Sequence, residues 1–356
     1  RMEDVELARS DEQGRTALHY DGSWFTLDST ADEESTRRCV VRVEQIFRAY
    51  RQLLPPRSQP QAPLRVMIFG SQDEYNDYLQ TIGASIANGA FYSQQANVIA
   101  AASELNRFAD RLTLARSRHE ELRKTYQRLD DGLPKQLAEL GAQLRGQGFA
   151  ERDVDNELNA RRLAWRNEMT AALVQLTAAD RRNEGRFVDV TQEMFERMYH
   201  EGFHAYLENY VFPHERHSVP IWLNEGLAQV FQSGRLEADM LRIDAPPADS
   251  LRLLQAELAG DEPMSLTDLL AAPQREFQEQ SVQPQRAARL YAAAWGVAHY
   301  LTFHQPLLGS AALDEYVATD AEQLAPPARF ERLVGVPLEK FEQQWRTTMA
   351  DLHAPR

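Results

Sequence analysis

A single cysteine, Cys39, is all that the 356-residue chain contains. No disulfide can form within it, and the cysteine ligand sets of zinc fingers and iron–sulfur clusters are excluded. No stretch approaches the roughly 18 consecutive apolar residues that a membrane-spanning helix needs. Basic residues are in deficit, 39 Lys and Arg against 53 Asp and Glu, for a formal net charge of −14. A nucleic-acid surface requires clustered Lys and Arg, so none is expected. No internal repeat is evident. The first residue is Arg rather than Met; the expectation is a trimmed, soluble chain, with a periplasmic or secreted location favoured. What is present is ordinary for a soluble protein: 43% hydrophobic residues, enough for a core, and 26% charged ones. The length suits two domains, or one with attachments.

The pattern along the chain predicts an α+β fold. In residues 1–104, alternation around Asp21-Gly22 within 16–30 reads as a strand pair. Residues 32–54 carry Cys39, Val43, Ile46, Phe47, Tyr50 and Leu54 at helical spacing, and Pro55-Pro56 ends the helix. Leu64–Phe69 reads as a buried strand, and Ser71 as the cap of a following helix. Residues 89–101 read as two short extended pieces around a polar turn. From Leu105 the apolar or semi-apolar positions step by three and four through Phe108, Leu112, Ala115, His119, Leu122, Tyr126 and Leu129, the seam of a coiled coil. Asp130-Asp131-Gly132 predicts an interruption, followed by a shorter helix over 134–145 and a break at Gly146 and Gly148. A second stripe runs from Val154 through Leu158, Trp165, Met169 and Leu173 to Leu176. Residues 105–183 are therefore expected to form an inserted antiparallel helical hairpin. It is either a solvated structural insertion or an arm that binds a protein partner or gates a cleft. Residues 184–249 should hold two helices that carry the chemistry, and 250–356 a helical subdomain with segments at 250–259, 265–272, 285–304, 311–318 and 327–352.

The chemistry centres on His200-Glu201-Gly202-Phe203-His204. Val190, Met194, Phe195, Met198, Tyr199, Phe203 and Leu207 place this segment on a helix, where residues four apart share a face. His200 and His204 can converge on one cation, and Glu201 can reach a water on it rather than the ion itself. Two imidazoles leave zinc short of the three protein ligands of a catalytic site. In Pro220–Phe231 a second helix is predicted, with Pro220 in its first turn. Glu225 is the lone carboxylate there among Trp222, Leu223, Leu227, Val230 and Phe231. It supplies the third ligand, and Gly226 beside it permits close helix packing. Two histidines and one glutamate leave a fourth coordination position open for water. Gln229 and Glu193 are candidate partners for the second ring nitrogens. His214 and His217 lie in the intervening loop, and His299 and His304 read as structural.

The segment 222–228, Trp-Leu-Asn-Glu-Gly-Leu-Ala, resembles the third-ligand motif of the aminopeptidase N family of gluzincin zinc peptidases, and residues 200–204 resemble its first motif. The resemblance implies one Zn²⁺ held by His200, His204 and Glu225, with Glu201 as general base. It also implies an oxyanion-steadying tyrosine that opens a later helix. Residues 291–301 (YAAAWGVAHYL) resemble that helix and make Tyr291 the matching position. The chain departs from the family in having no room for a large N-terminal β domain. Gly89-Ala90-Phe91-Tyr92 is the nearest counterpart of the family's amine-anchoring segment and lacks its glutamate. These four residues are expected as an edge strand that pairs with an extended peptide substrate. The whole layout is similar to the small bacterial peptidase MA-like gluzincins, through residues 64–75, 89–92, the two metal motifs and 330–346, outside 105–183. The implied function is zinc-dependent peptide-bond hydrolysis. An inactive scaffold that recruits a partner through the hairpin, and a zinc amidase acting on cell-wall peptides, stand beside it.

Overall fold

The computed structural model describes residues 2–12, 15–60, 62–86, 88–237, 240–278, 283–318 and 324–353. It divides into two units, one formed by Arg1–Ser103 with Glu193–Arg356, the other by Glu104–Gln192. Both helix and sheet are present, and the fold is α+β.

The first unit opens with strands β1 (Ala8–Glu12), β2 (Arg15–Asp21) and β3 (Phe25–Ser29), successive antiparallel neighbours. Helix α1 (Glu33–Leu53) follows, with the Asp32 carboxylate accepting from the Ser35 backbone N–H at 3.1 Å. That bond satisfies one of the donors left open at a helix start. Strand β4 (Leu64–Phe69) lies parallel to β3, helix α2 (Gln72–Thr81) is capped by Ser71, and β5 (Ala90–Ser93) and β6 (Val98–Ala102) pair antiparallel. The mixed sheet runs β1-β2-β3-β4-β6-β5, which leaves β5 as an edge. Every residue of β6 is buried, as an inner strand covered on both faces must be.

The second unit is a pair of long helices, α3 (Leu105–Gly146) and the first part of α4 (Glu151–Tyr206). They run antiparallel, as shown by Arg116 on Glu184 at 3.1 Å, His119 on Asp180 at 2.5 Å and Trp165 donating to Asp130 at 2.8 Å. Three expectations need correction. The helix is not interrupted at Asp130-Asp131-Gly132. It continues through Pro134 at a cost of about 3 kcal/mol, which contacts to the facing helix such as Trp165 on Asp130 help to offset. The seam also departs from the predicted stripe at two positions: Tyr126 turns inward as expected, but Leu122 and Leu129 are exposed and their neighbours Arg123 and Asp130 turn inward instead. A 3.6-residue helix drifts about 20° per heptad from a strict seven-residue repeat. Here Arg123, off the stripe, joins His119, which is on it, in pairing with Asp180. Finally, no helix boundary falls at the expected edge of the insertion, 183, and α4 runs 56 residues without a break into the predicted metal motif.

The remainder of the first unit contains the end of α4 and a π-helical turn (Leu207–Val211), then α5 (Ile221–Gln232) and a hairpin of β7 (Arg235–Glu237) and β8 (Met240–Arg242). Pro220 is the N-cap of α5 rather than a residue inside it. Helices α6 (Ala248–Leu258), α7 (Leu266–Ala271), α8 (Gln274–Gln278), α9 (Pro284–His299), α10 (Ala311–Ala318), α11 (Pro326–Val334) and α12 (Leu338–Asp351) follow. The last predicted segment, 327–352, is two helices. Gly335 adopts φ 72°, a left-handed C-cap that stops α11.

Aromatic packing fixes the end of α4. The Tyr50 hydroxyl of α1 donates to the Tyr199 carbonyl at 2.6 Å, and Tyr206 donates to the Leu54 carbonyl at 2.6 Å. Phe203 stacks on Phe231 of α5 with ring centroids 5.0 Å apart, and Tyr50 meets Phe231 edge-on at 4.7 Å. Fully buried aromatics of this size dominate core energetics. They lock α1, α4 and α5 so that one polar face of α4 looks toward one polar face of α5.

Candidate metal centre

Helix α4 carries His200 and His204 one turn apart on a common face, with ring centroids 4.7 Å apart and planes at 84°. From α5, Glu225 points into the same space. Its Oε2 lies 3.4 Å from His200 Nε2, and its Oε1 3.7 Å from His204 Nε2. One ligand atom from each of the three lies within 4.8 Å of the others. Ligand atoms at about 2.0–2.2 Å from a tetrahedral zinc stand roughly 3.4 Å from one another, so the carboxylate-to-ring spacings suit a zinc-sized ion.

The second ring nitrogens are held by α5. His200 Nδ1 is 3.0 Å from Gln232 Oε1, and His204 Nδ1 is 2.8 Å from Asn224 Oδ1. A ring that donates from Nδ1 to an amide oxygen keeps its Nε2 lone pair for the centre. Two such lone pairs facing a carboxylate repel one another until a cation sits among them. Burial pulls the His204 pKa down, and the neighbouring His200 adds to the effect; the ring stays neutral, which is the ligand form. Asn224 and Gln232, rather than the expected Gln229 and Glu193, take this role. The Gln229 amide donates to the Tyr291 carbonyl at 3.2 Å, and Glu193 is exposed. The signal that could have found Gln232 is the polar stripe Glu225, Gln229, Gln232 on an otherwise buried helix, at spacings of four and three.

Glu201 stands beside the cluster, its Oε2 accepting from the Tyr92 backbone N–H at 3.0 Å. The free edge of β5 therefore borders the site. Of the four residues expected there, Gly89 precedes the strand, Ala90 is buried, and Phe91 packs in the core with Tyr75 and Leu79. Tyr92 alone of the four lines the cavity, which measures about 690 Å³ and is mostly polar. His200, Glu201, His204, Glu225 and Tyr291 line it as well. Tyr291 does not open its helix. It lies in the second turn of α9, which starts at Pro284, with its ring on Phe277 at 5.3 Å.

Gly226 brings α9 close to this site. A Cβ there would run into the Ala294 carbonyl and come within 2.9 Å of Ala298 Cβ. The other histidines lie outside the cavity. His214 pairs with Glu208, and His217 Nδ1 is 3.3 Å from the Pro213 carbonyl. His299 is buried beside Trp295. Cys39 is buried too, and burial pushes its thiol up to about 12.

A family model described as a protein of unknown function, DUF1570, matches residues 196–308, a stretch that begins just before His200 and extends past Tyr291. No curated protein and no solved structure matches the chain.

Proposed function

We propose that the protein is a zinc-dependent hydrolase of peptide bonds, built on a gluzincin-type scaffold. The observation that carries this reading is the convergence of two Nε2 atoms and a carboxylate at zinc spacing, with a second carboxyl group, Glu201, beside them and outside the ligand set. His200, His204 and Glu225 would hold one Zn²⁺. When bound, the ion supplies Lewis acidity toward water and toward a carbonyl oxygen. Glu201 takes the proton of the attacking water and returns it to the leaving nitrogen. Tyr291, on the cavity wall, donates toward the carbonyl oxygen as charge develops there. An extended peptide adds to the free edge of β5, main chain to main chain.

Glu201→Gln is expected to keep stoichiometric zinc and lose about 10²–10⁴-fold in turnover. Metal analysis and a peptide-library cleavage assay, with and without chelator, check this; near-normal turnover would remove Glu201 from its role. His204→Ala is expected to lose the metal, and retained zinc would refute its place among the ligands.

A second reading, a scaffold that binds a protein partner through its helical pair, is favoured by exposed apolar side chains there, among them Leu114, Phe149, Leu163 and Val174. Under that reading the same assays give no cleavage by zinc-loaded protein.

A further inference from the structure

Arg197 lies on α4 three residues before His200 and four before Glu201, so it shares their face one turn upstream, an axial step of roughly 4.5–6 Å. It lines the same cavity and is the one Lys or Arg that does so among the described residues. It is half-buried, and among the described residues it makes no ion pair or hydrogen bond. The two other formally charged residues on that wall, Glu201 and Glu225, are both engaged, the first by Tyr92 N–H and the second by the histidines. A divalent ion would be balanced by these two carboxylates, and the positive charge of Arg197 would be left over.

A guanidinium held in a polar cleft with no partner among the described residues is suited to a carboxylate from outside, because its planar fork donates to two oxygens side by side. The background sharpens the point. A chain of net charge −14 repels anions at long range, so a carboxylate-bearing substrate needs a local cation to be accepted. Consecutive residues of a peptide stand 3.8 Å apart at Cα. A carboxylate one or two residues from the scissile bond therefore spans the distance from the metal ligands to Arg197.

We propose that Arg197 is a specificity-determining residue that selects peptides carrying a carboxylate next to the bond that is cut. This inference rests on the hydrolase reading above. The carboxylate comes either from an Asp or Glu side chain or from the peptide's own C-terminus, and the test separates the two.

The experiment uses the full chain with Glu201→Gln, loaded with zinc, so that binding is measured without turnover. Matched peptides differ only in Glu against Gln at an internal position, or in a free against an amidated C-terminus. The acidic member of one pair is expected to bind about 10–100-fold more tightly; the pair that shows the difference identifies the source. Adding Arg197→Gln should erase that difference while leaving the neutral peptide's affinity within about twofold. Arg197→Glu should turn the preference toward a Lys-containing peptide, which a merely structural role would not do. Binding and, in the Glu201-containing protein, cleavage of neutral peptides with no preference for acidic ones would overturn the role of Arg197 and leave the hydrolase reading standing. Failure of zinc-loaded protein to bind or cleave peptides of any kind would overturn both.

Discussion

Asn224 sits immediately before the proposed ligand Glu225, yet it serves the opposite helix, placing its amide oxygen 2.8 Å from His204 Nδ1. An imidazole on a single Cβ pivot turns freely unless something fixes its plane, and partners of this kind typically carry 10–100-fold in metal affinity. Asn224→Leu should therefore lower zinc affinity by that factor with little change in helix content, measured by competition against a chelator. Unchanged affinity would show that packing alone orients the ring. Single residues also mark where sequence reading reached its end. His200, His204, Glu201 and Glu225 announce themselves by type and spacing. Gln232 and Asn224 do not, because which amide meets which ring depends on how two helices face each other. Arg197 is silent for the same reason, since an arginine one turn before a histidine is unremarkable until the structure places it on the cavity wall with no partner among the described residues.

Among the elements, the strand pairs, the capped helices α1 and α2 and the buried strand β4 follow from local rules, alternation and helical spacing, and the structure has them at the expected positions. Where local punctuation competed with a long helix, punctuation lost: Asp130-Asp131-Gly132 and Pro134 lie inside α3, and the expected boundary at 183 lies inside α4. The short hairpin β7–β8 and helix α8 were not anticipated, since three to five residues carry too little periodicity. Two predictions belong to this scale. Pro134→Ala restores a backbone donor and removes a ring from a helix interior, so it should stabilise the helical pair by up to about 3 kcal/mol, seen as a later thermal transition. A drop in stability would mean that the proline is needed where it is. Gly226→Ala forces a methyl group against the Ala294 carbonyl. Separating α5 from α9 should cost about 1–3 kcal/mol and weaken zinc binding as well, because Asn224, Glu225 and Gln232 move together. Wild-type melting and wild-type zinc affinity would together disprove that close approach.

For the whole molecule, charge is spread unevenly along the sequence. Residues 104–192 hold sixteen Lys and Arg against fifteen Asp and Glu, whereas the chain as a whole carries −14. Stability toward acid should depend strongly on one buried ring. Burial, aided by neighbouring His304, lowers the His299 pKa to about 4. Between about pH 6.5 and 4 the unfolded chain takes up a proton that the folded chain refuses. Stability is then highest above pH 6.5, falls by roughly 3 kcal/mol as pH drops to 4, and levels off below. His299→Phe should flatten that decline in denaturant titrations run with chelator, so that metal release does not contribute; an unchanged slope would assign the decline to other groups. Cys39 bears on the molecule in another way. A sole thiol that is buried and kept protonated is inert toward alkylating and disulfide-forming reagents. Any cysteine engineered onto the surface would then be the only reactive one, and spin labels or fluorophores could be attached at chosen positions along the helices without first removing the native residue.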